Sequence, residues 1–134
     1  MIYLDTSALY KLIADEIYSN EFTCYLEGFL SKGFDICSSI LAKTELKRSA
    51  QRDGIDFIGI NKLSQIVNWI NLHDYDFDKA GELKTKNSKY LRSLDALHIV
   101  SAQKEKIDFV ITFDSNQALV FEDFGYKVIK EVPK

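Results

Sequence analysis

The sequence predicts an α/β fold with a parallel sheet that is covered on both faces. Short β-rich runs such as "IYLD" and "DFVITFD" alternate with segments whose apolar residues recur at helical spacing. Strands that are separated by helices need crossover connections, and such crossovers join parallel strands. The chain has 134 residues, 46% of them hydrophobic, which is enough for one domain over residues 1–134 with an ordinary core.

The first half of the chain is predicted to contain two strand–helix units. The strand at residues 2–5 ends in a carboxylate, and "TSALYKLIA" continues as a helix. A further helix is predicted in "SNEFTCYLEGFLSKG", where Gly33 is the stop signal. The strand "FDICSS" then precedes the helix "ILAKTELKRSAQRDG", which is predicted to end at Gly54.

The second half continues the same alternation. Two helices are predicted in "NKLSQIVNWINLHD" and "YDFDKAGELKTKN", followed by an amphipathic helix, "LRSLDALHIVSA", at residues 91–102. The predicted apolar stripe of that helix consists of Leu91, Leu94, His98, Ile99 and Ala102. The last third contains the strand "DFVITFD", a helix near "NQALVFEDFG" and a final strand, "YKVIKEV".

Charge does not identify a partner for this chain. The net charge of −3 and the pI of about 5.4 argue against a nucleic-acid ligand. If four acidic residues belong to one metal site, however, the 17 basic residues exceed the remaining acidic ones by one. No stretch approaches the roughly 20 apolar residues of a membrane span, and no signal-peptide pattern precedes "MIYLD". We therefore expect a soluble cytoplasmic protein with no membrane partner.

Asp95 lies on the predicted apolar stripe of the helix at residues 91–102. An isolated charge in a low-dielectric environment costs several kcal/mol even after relaxation, in order-of-magnitude terms. Asp95 therefore needs a partner. Arg92, within one turn of the same helix, or a helix cap would be a structural partner, and a metal ion would be a functional one.

Three more acidic residues are predicted near the carboxyl ends of strands, where ligands bind in parallel α/β sheets. Asp5 and Asp114 each end a predicted strand, and Glu45 lies one to two turns into the helix after the second strand. Taken alone, each aspartate is typical of a helix N-cap or turn, and Glu45 is typical of a solvated helix face. Four converging carboxylates would repel one another unless a divalent cation were bound. Carboxylate oxygens are the ligands that Mg²⁺ and Mn²⁺ prefer.

Four motifs, in order along the chain, resemble those of the PIN-domain ribonuclease family, and within it the VapC-type toxins of toxin–antitoxin pairs. "YLDTSAL" resembles the first-strand motif, and "SSILAKTELKR" resembles the block that carries the second acid. "LDALHIVSA" is similar to the segment with the third acid, and "VITFDSNQ" is similar to the ending with the fourth. The resemblance spans residues 2 to about 130 and assigns Asp5, Glu45, Asp95 and Asp114 as catalytic and metal-binding residues.

The resemblance implies a PIN-like three-layer α/β/α fold with a short central parallel sheet. It also implies an endoribonuclease that depends on Mg²⁺ or Mn²⁺, an RNA substrate, a homodimer and a cognate antitoxin. We expect metal-assisted hydrolysis to leave a 5′-phosphate and a 3′-hydroxyl. Residues expected to support the acids or to bind substrate are Ser7, Thr112, Arg92 and His98, with His98 close enough to orient Asp95.

Two other functions remain open at this point. The first is a Mg²⁺-dependent phosphatase or phosphotransfer domain in which Asp5 forms an aspartyl phosphate, although "DTS" lacks a second aspartate two residues after the first. The second is a non-catalytic PIN-like module that binds RNA or a protein. The presence of all four acids argues against this second alternative.

Overall fold

The structure is a computed structural model that describes residues 1–86 and 91–132. Its strands are β1 (Ile2–Leu4), β2 (Ile36–Ser39), β3 (Asn68–Ile70), β4 (Phe109–Ile111) and β5 (Val128–Ile129). Its helices are α1 (Thr6–Ile13), α2 (Ser19–Ser31), α3 (Leu41–Asp53), α4 (Ile58–Ser64), α5 (Asp74–Glu82), α6 (Ser93–Gln103) and α7 (Ser115–Asp123). None of these helices is long and apolar enough to cross a lipid bilayer.

The five strands form one parallel sheet in the order β3-β2-β1-β4-β5. In the centre of the sheet, Leu4 of β1 is in register with Ile111 of β4. Their carboxyl ends therefore lie side by side at one edge of the sheet. The strands β2 and β4 lie on opposite sides of β1, so the order of strands reverses between β1 and β4. In α/β proteins, ligands bind in the crevice that such a reversal opens at the carboxyl ends of the strands.

Helices cover both faces of the sheet and make it the middle of three layers, as the sequence predicted. Alternation along β1 points Ile2 and Leu4 to one face and Tyr3 to the other. Ile2 and Leu4 are completely buried among side chains from α1, α2, α3 and α4. Tyr3, also completely buried, packs with Ile99 of α6 and Phe121 of α7, while α5 packs on α6.

Two glycines end helices where the sequence predicted a stop. Gly54 is the C-cap of α3 with φ 71°, and Gly33, with φ 92°, lies just beyond α2. Both residues are in the left-handed region, which side chains with a Cβ atom disfavour. The helices therefore end where glycine makes that conformation inexpensive.

The structure corrects the prediction of a single helix in "NKLSQIVNWINLHD". The helix α4 ends at Ser64, and Asn68–Ile70 forms β3 at the edge of the sheet. Apolar residues in this segment fit a helical period, but pairing with β2 supplies backbone hydrogen bonds that three isolated residues lack. The last predicted strand is also shorter. The helix predicted in "YDFDKAGELKTKN" ends early, at Glu82, because Leu83 adopts an extended backbone conformation. Residues 83–86 are not helical, and only residue 87 of this prediction lies outside the described residues.

The amphipathic stripe predicted for residues 91–102 is only partly correct. Leu94 is 50% exposed, whereas every residue from Asp95 to Ala102 is buried. Helix α6 therefore enters the interior after its first turn and is surrounded there by the sheet, α5 and α7. A helix that is buried on several sides lacks the single apolar face that periodicity detects.

Candidate active site

Asp5 lies immediately after β1 and is 3% exposed. Its Oδ1 atom accepts hydrogen bonds from Ser7 Oγ at 2.7 Å and from the Ala8 backbone N–H at 3.0 Å, so Asp5 caps α1. Its Oδ2 atom accepts a hydrogen bond from Thr112 Oγ1 at 2.5 Å. Burial raises the pKa of Asp5 above its ordinary value even though these hydrogen bonds favour the charged form.

Ser7 and Thr112 hold the ends of β1 and β4 together. The completely buried Thr112 hydroxyl donates to Asp5 and accepts from the Asp114 backbone N–H at 3.1 Å. The Ser7 hydroxyl donates to Asp5 and accepts from the Phe113 backbone N–H at 2.9 Å. The two hydroxyl oxygens are 3.2 Å apart. Asp5 and the loop that carries Asp114 are therefore fixed relative to each other.

Asp114 caps helix α7. Its Oδ1 atom accepts hydrogen bonds from the backbone N–H groups of Asn116 and Gln117, at 2.9 and 3.0 Å. Both strand-terminal aspartates thus have the capping contacts that their positions suggested when each was considered alone. In both residues the cap uses Oδ1, which leaves Oδ2 for a different contact.

Asp95 is 7% exposed and has a basic partner. Its Oδ2 atom accepts hydrogen bonds from Arg92 Nε at 2.8 Å and from Asn116 Nδ2 at 3.2 Å. The hydrogen bond to Asp95 raises the pKa of the Arg92 guanidinium, and the charge of Asp114 acts in the same direction. Arg92 therefore lies in the field of both carboxylates, and Asn116 connects Asp95 to the helix that Asp114 caps.

Glu45 on α3 forms a second group with Thr6 and His98. Its Oε1 atom accepts from Thr6 Oγ1 at 2.7 Å and lies 2.8 Å from His98 Nε2. Burial acts to raise the pKa of Glu45, but the hydrogen bonds and charge from His98 and the bond from Thr6 outweigh it and lower the pKa. The sequence predicts that His98 orients Asp95. In the structure the His98 ring nitrogens instead contact Tyr3, Glu45 and, at 3.4 Å, Thr6 Oγ1.

The predicted acids thus lie in two hydrogen-bonded groups. One group joins Asp5, Asp95 and Asp114 through Thr112 and Asn116, and the other contains Glu45. Within residues 1–86 and 91–132, no three Asp, Glu, His or Cys side chains form a group that could hold a metal ion. Three carboxylate oxygens of the four candidate acids receive no hydrogen bond from the described residues. They are Oε2 of Glu45, Oδ1 of Asp95 and Oδ2 of Asp114.

Three residues of this network were not predicted as site residues: Tyr3, Thr6 and Asn116. Tyr3 could have been recognised from strand alternation, because it points away from Ile2 and Leu4. Thr6 follows the first acid directly, and Asn116 is the second residue of α7. Their contacts cross between elements that are far apart in the chain, and local sequence patterns carry no signal for such contacts.

The chain resembles known proteins along most of its length. The PIN domain family matches residues 2–122. A relative in Mycobacterium tuberculosis, ribonuclease VapC47, is 30% identical over 116 residues, which cover 85% of this chain and 85% of the relative.

Solved structures with this fold include three from toxin or toxin–antitoxin systems. Mycobacterium tuberculosis VapC20, described as a toxin that cleaves the sarcin–ricin loop, has a TM-score of 0.74 at 18% identity, covering 99% of this chain and 100% of its own. A Klebsiella pneumoniae toxin–antitoxin complex has a TM-score of 0.68 at 19% identity, covering 96% of each chain. VapBC2 of Rickettsia felis, bound to a promoter DNA fragment, has a TM-score of 0.68 at 18% identity, covering 96% and 98%.

Proposed function

The chain belongs to the PIN domain family, and from this premise we propose that it is a metal-dependent endoribonuclease and the toxin of a toxin–antitoxin pair. One observation carries the proposal. The carboxyl ends of adjacent parallel strands bring Asp5 and Asp114 to the two sides of the buried Thr112 hydroxyl, and Asn116 connects Asp95 to the same place. We propose that residues 1–134 act as this single domain.

We propose that Asp5, Asp95 and Asp114 hold Mg²⁺ or Mn²⁺ and that Glu45 binds or orients a further ion or the attacking water. The donor set fits such an ion, because Glu45, Asp95 and Asp114 each present an oxygen with no donor from the described residues. When bound, the ion would lower the pKa of a water ligand and polarise the phosphoryl group. Because the acids lie in two groups, their side chains must move closer together to share it.

The residues around the acids have separate tasks in this proposal. Thr112 and Ser7 hold the Asp5 carboxylate in one orientation through its two oxygens. Arg92, whose side chain is 55% exposed, neutralises Asp95 and is accessible to an RNA phosphate. His98 and Thr6 fix Glu45. The acids are therefore held by hydroxyl, imidazole and guanidinium donors, of which the Arg92 guanidinium is exposed.

The proposal is tested by a nuclease assay that compares the wild type with Asp95→Asn. The substitution keeps the size of the side chain but removes its charge, and we expect cleavage to fall by about 100-fold or more, the upper range for loss of a metal-site contact. Asp78→Asn is the matched control, because Asp78 is exposed on α5. Equal RNA decay by wild type and Asp95→Asn would contradict the proposal.

The products provide an independent check of the reaction. Attack by water leaves a 5′-phosphate and a 3′-hydroxyl, whereas attack by the ribose 2′-hydroxyl leaves a 2′,3′-cyclic phosphate. Mass analysis of the RNA ends distinguishes these outcomes, and a cyclic phosphate would exclude the hydrolytic reaction proposed here.

We also propose a cognate antitoxin and a homodimer as protein partners. The Klebsiella pneumoniae and Rickettsia felis structures are toxin–antitoxin assemblies, which supports an antitoxin for this chain. Large apolar side chains are exposed on several elements, as expected of a protein that buries surface against partners. They include Ile17, Tyr18, Ile58, Ile66, Tyr75 and Phe77.

A further inference from the structure

A buried hydrogen-bonded chain connects the sheet to Glu45. Tyr3 Oη is 2.6 Å from His98 Nδ1, and His98 Nε2 is 2.8 Å from Glu45 Oε1. Tyr3 is 0% exposed and His98 is 3% exposed, so the contact between them is shielded from water, whereas the Glu45 side chain is 25% exposed. The His98 ring also meets the Tyr3 ring edge to face, with centroids 6.0 Å apart. The imidazole is therefore held from both of its nitrogens.

The identities of the partners determine which nitrogen carries the proton. A Glu45 carboxylate only accepts hydrogen bonds, so a bond from His98 requires a proton on Nε2. The Nδ1 atom of a neutral imidazole is then an acceptor, and the Tyr3 hydroxyl is positioned to donate to it. The opposite tautomer would place a bare Nε2 against a carboxylate oxygen and would lose this bond.

We propose that His98, held between Tyr3 and Glu45, is a positioning residue for Glu45 and donates to its carboxylate from Nε2. Thr6 donates to the same Oε1 atom, so two donors hold one oxygen of Glu45 and leave the other, Oε2, without a hydrogen bond from the described residues. The inference rests on the proposed function, because it gives Glu45 a fixed orientation for the ion or water. Hydrogen-bonded groups behind a metal ligand fix its orientation in this way in other metal sites.

The tautomer can be measured without any enzymatic assay. The chain contains two histidines, His73 and His98, and His73 is exposed at the start of α5. In a long-range ¹H–¹⁵N spectrum of the wild type at fixed neutral pH, we expect His98 to show a protonated Nε2 and a bare Nδ1. His73→Gln assigns the signals by removing the other set. In Tyr3→Phe, which keeps the ring but removes the hydroxyl, we expect the protonated Nε2 to persist, because the Glu45 carboxylate still accepts only from a nitrogen that carries a proton.

Two substitutions of His98 separate positioning from simple packing. The amide nitrogen of Gln reaches about as far as Nε2 and can still donate to Glu45, whereas the shorter Asn reaches only the Nδ1 position. We expect His98→Asn to lower kcat by about tenfold with little change in KM, the lower range for loss of a group that orients a metal ligand. His98→Gln should recover most of the loss, and a melting curve for each variant establishes that it is folded.

The outcomes test this inference separately from the proposed function. A bare Nε2 would overturn the hydrogen bond from His98 to Glu45, and protons on both nitrogens would overturn the acceptor role of Nδ1 toward Tyr3. Equal kcat in His98→Asn and His98→Gln would overturn the role given to the Nε2 donor. If wild type and Asp95→Asn are equally inactive, the proposed function fails. The spectra then still show whether His98 donates to Glu45 from Nε2, and the catalytic role of His98 is overturned.

Discussion

The hydroxyl of Thr112 links two of the four candidate acids through a single atom. It donates to Asp5 and accepts from the backbone of Asp114, and it is completely buried. A methyl group of the same size would leave Asp5 Oδ2 and the Asp114 backbone N–H without this hydrogen bond in a buried place. Buried polar groups that lose their partner in this way are expensive.

We therefore expect Thr112→Val to lower the free energy of unfolding by about 1–3 kcal/mol, the usual cost of an unsatisfied buried group. Thr112→Ser keeps the hydroxyl and should lose less catalytic activity than Thr112→Val. Chemical denaturation measures the first effect, and the RNA cleavage assay measures the second. Equal activity of the two variants would show that the hydroxyl does not position Asp5.

Asp76 is a buried carboxylate whose hydrogen bonds do not involve the candidate site. It accepts a hydrogen bond from the His73 backbone N–H at 2.8 Å and is 2.6 Å from Lys104 Nζ, so it joins the start of α5 to the end of α6. Burial acts to raise its pKa, but the bonds from Lys104 and His73 outweigh it and lower the pKa. The folded state therefore binds this proton less tightly than the unfolded state does.

A lowered carboxyl pKa gives a definite sign to the pH dependence of stability. The contribution of Asp76 is fully present above its unfolded pKa of about 3.9, and it is lost as the pH falls through the lower folded value. We expect Asp76→Asn to lose about 1–3 kcal/mol at pH 7 and to show a weaker loss of stability in acid. Denaturation between pH 7 and pH 2 measures this, with Asp78→Asn as the control. Parallel curves for wild type and Asp76→Asn would contradict it.

At the scale of elements, the backbone conformation of a glycine decides whether that glycine stabilises the fold. Gly54 has φ 71° at the C-terminus of α3, whereas Gly28 lies inside α2 without a positive φ. A Cβ atom added at either position meets nothing within 4 Å. The two glycines therefore differ in backbone conformation and not in the space available for a Cβ atom.

Alanine at these positions should have opposite effects. We expect Gly54→Ala to destabilise by about 1 kcal/mol because of the left-handed conformation, and Gly28→Ala to stabilise by about 0.5–1 kcal/mol because alanine loses less entropy in a helix. Thermal melts of the two variants beside the wild type make the comparison. A change of the same sign in both would show that backbone conformation is not the deciding factor.

At the scale of the whole molecule, the order of strands brings the acids to one edge of the sheet. The adjacent strands β1 and β4 place Asp5 and Asp114 side by side, while α6 and α3 bring Asp95 and Glu45 from opposite layers. Several carboxylates in one region raise the free energy of the folded state through mutual repulsion. An ion that binds the folded chain should relieve this repulsion.

We accordingly expect Mn²⁺ to raise the melting temperature and a chelator to remove the increase. An ion at 100 times its Kd stabilises the folded state by about 2.7 kcal/mol if it binds only that state. Asp95→Asn should show a smaller increase, whereas Asp78→Asn should respond like the wild type. An absence of any shift at millimolar Mn²⁺, or an equal shift in Asp95→Asn, would contradict a site built from these acids.

The sequence by itself determined the α/β alternation, the parallel sheet, both glycine stops and the family, because these features depend on local periodicity and short motifs. It also identified the four acids as candidates. Periodicity did not separate β3 from the helix before it, since a three-residue edge strand exists only through its pairing with β2. Nor did it show that α6 is buried beyond its first turn.

The tertiary structure decided the partners of each acid. Arg92 and Asn116 bind Asp95, Thr112 connects Asp5 to Asp114, and His98 turns to Glu45 rather than to Asp95. These contacts join residues that are mostly far apart in the chain, and their geometry is set by how the helices pack on the sheet. Side-chain hydrogen bonds depend on ångström-scale placement, which only the packed fold determines.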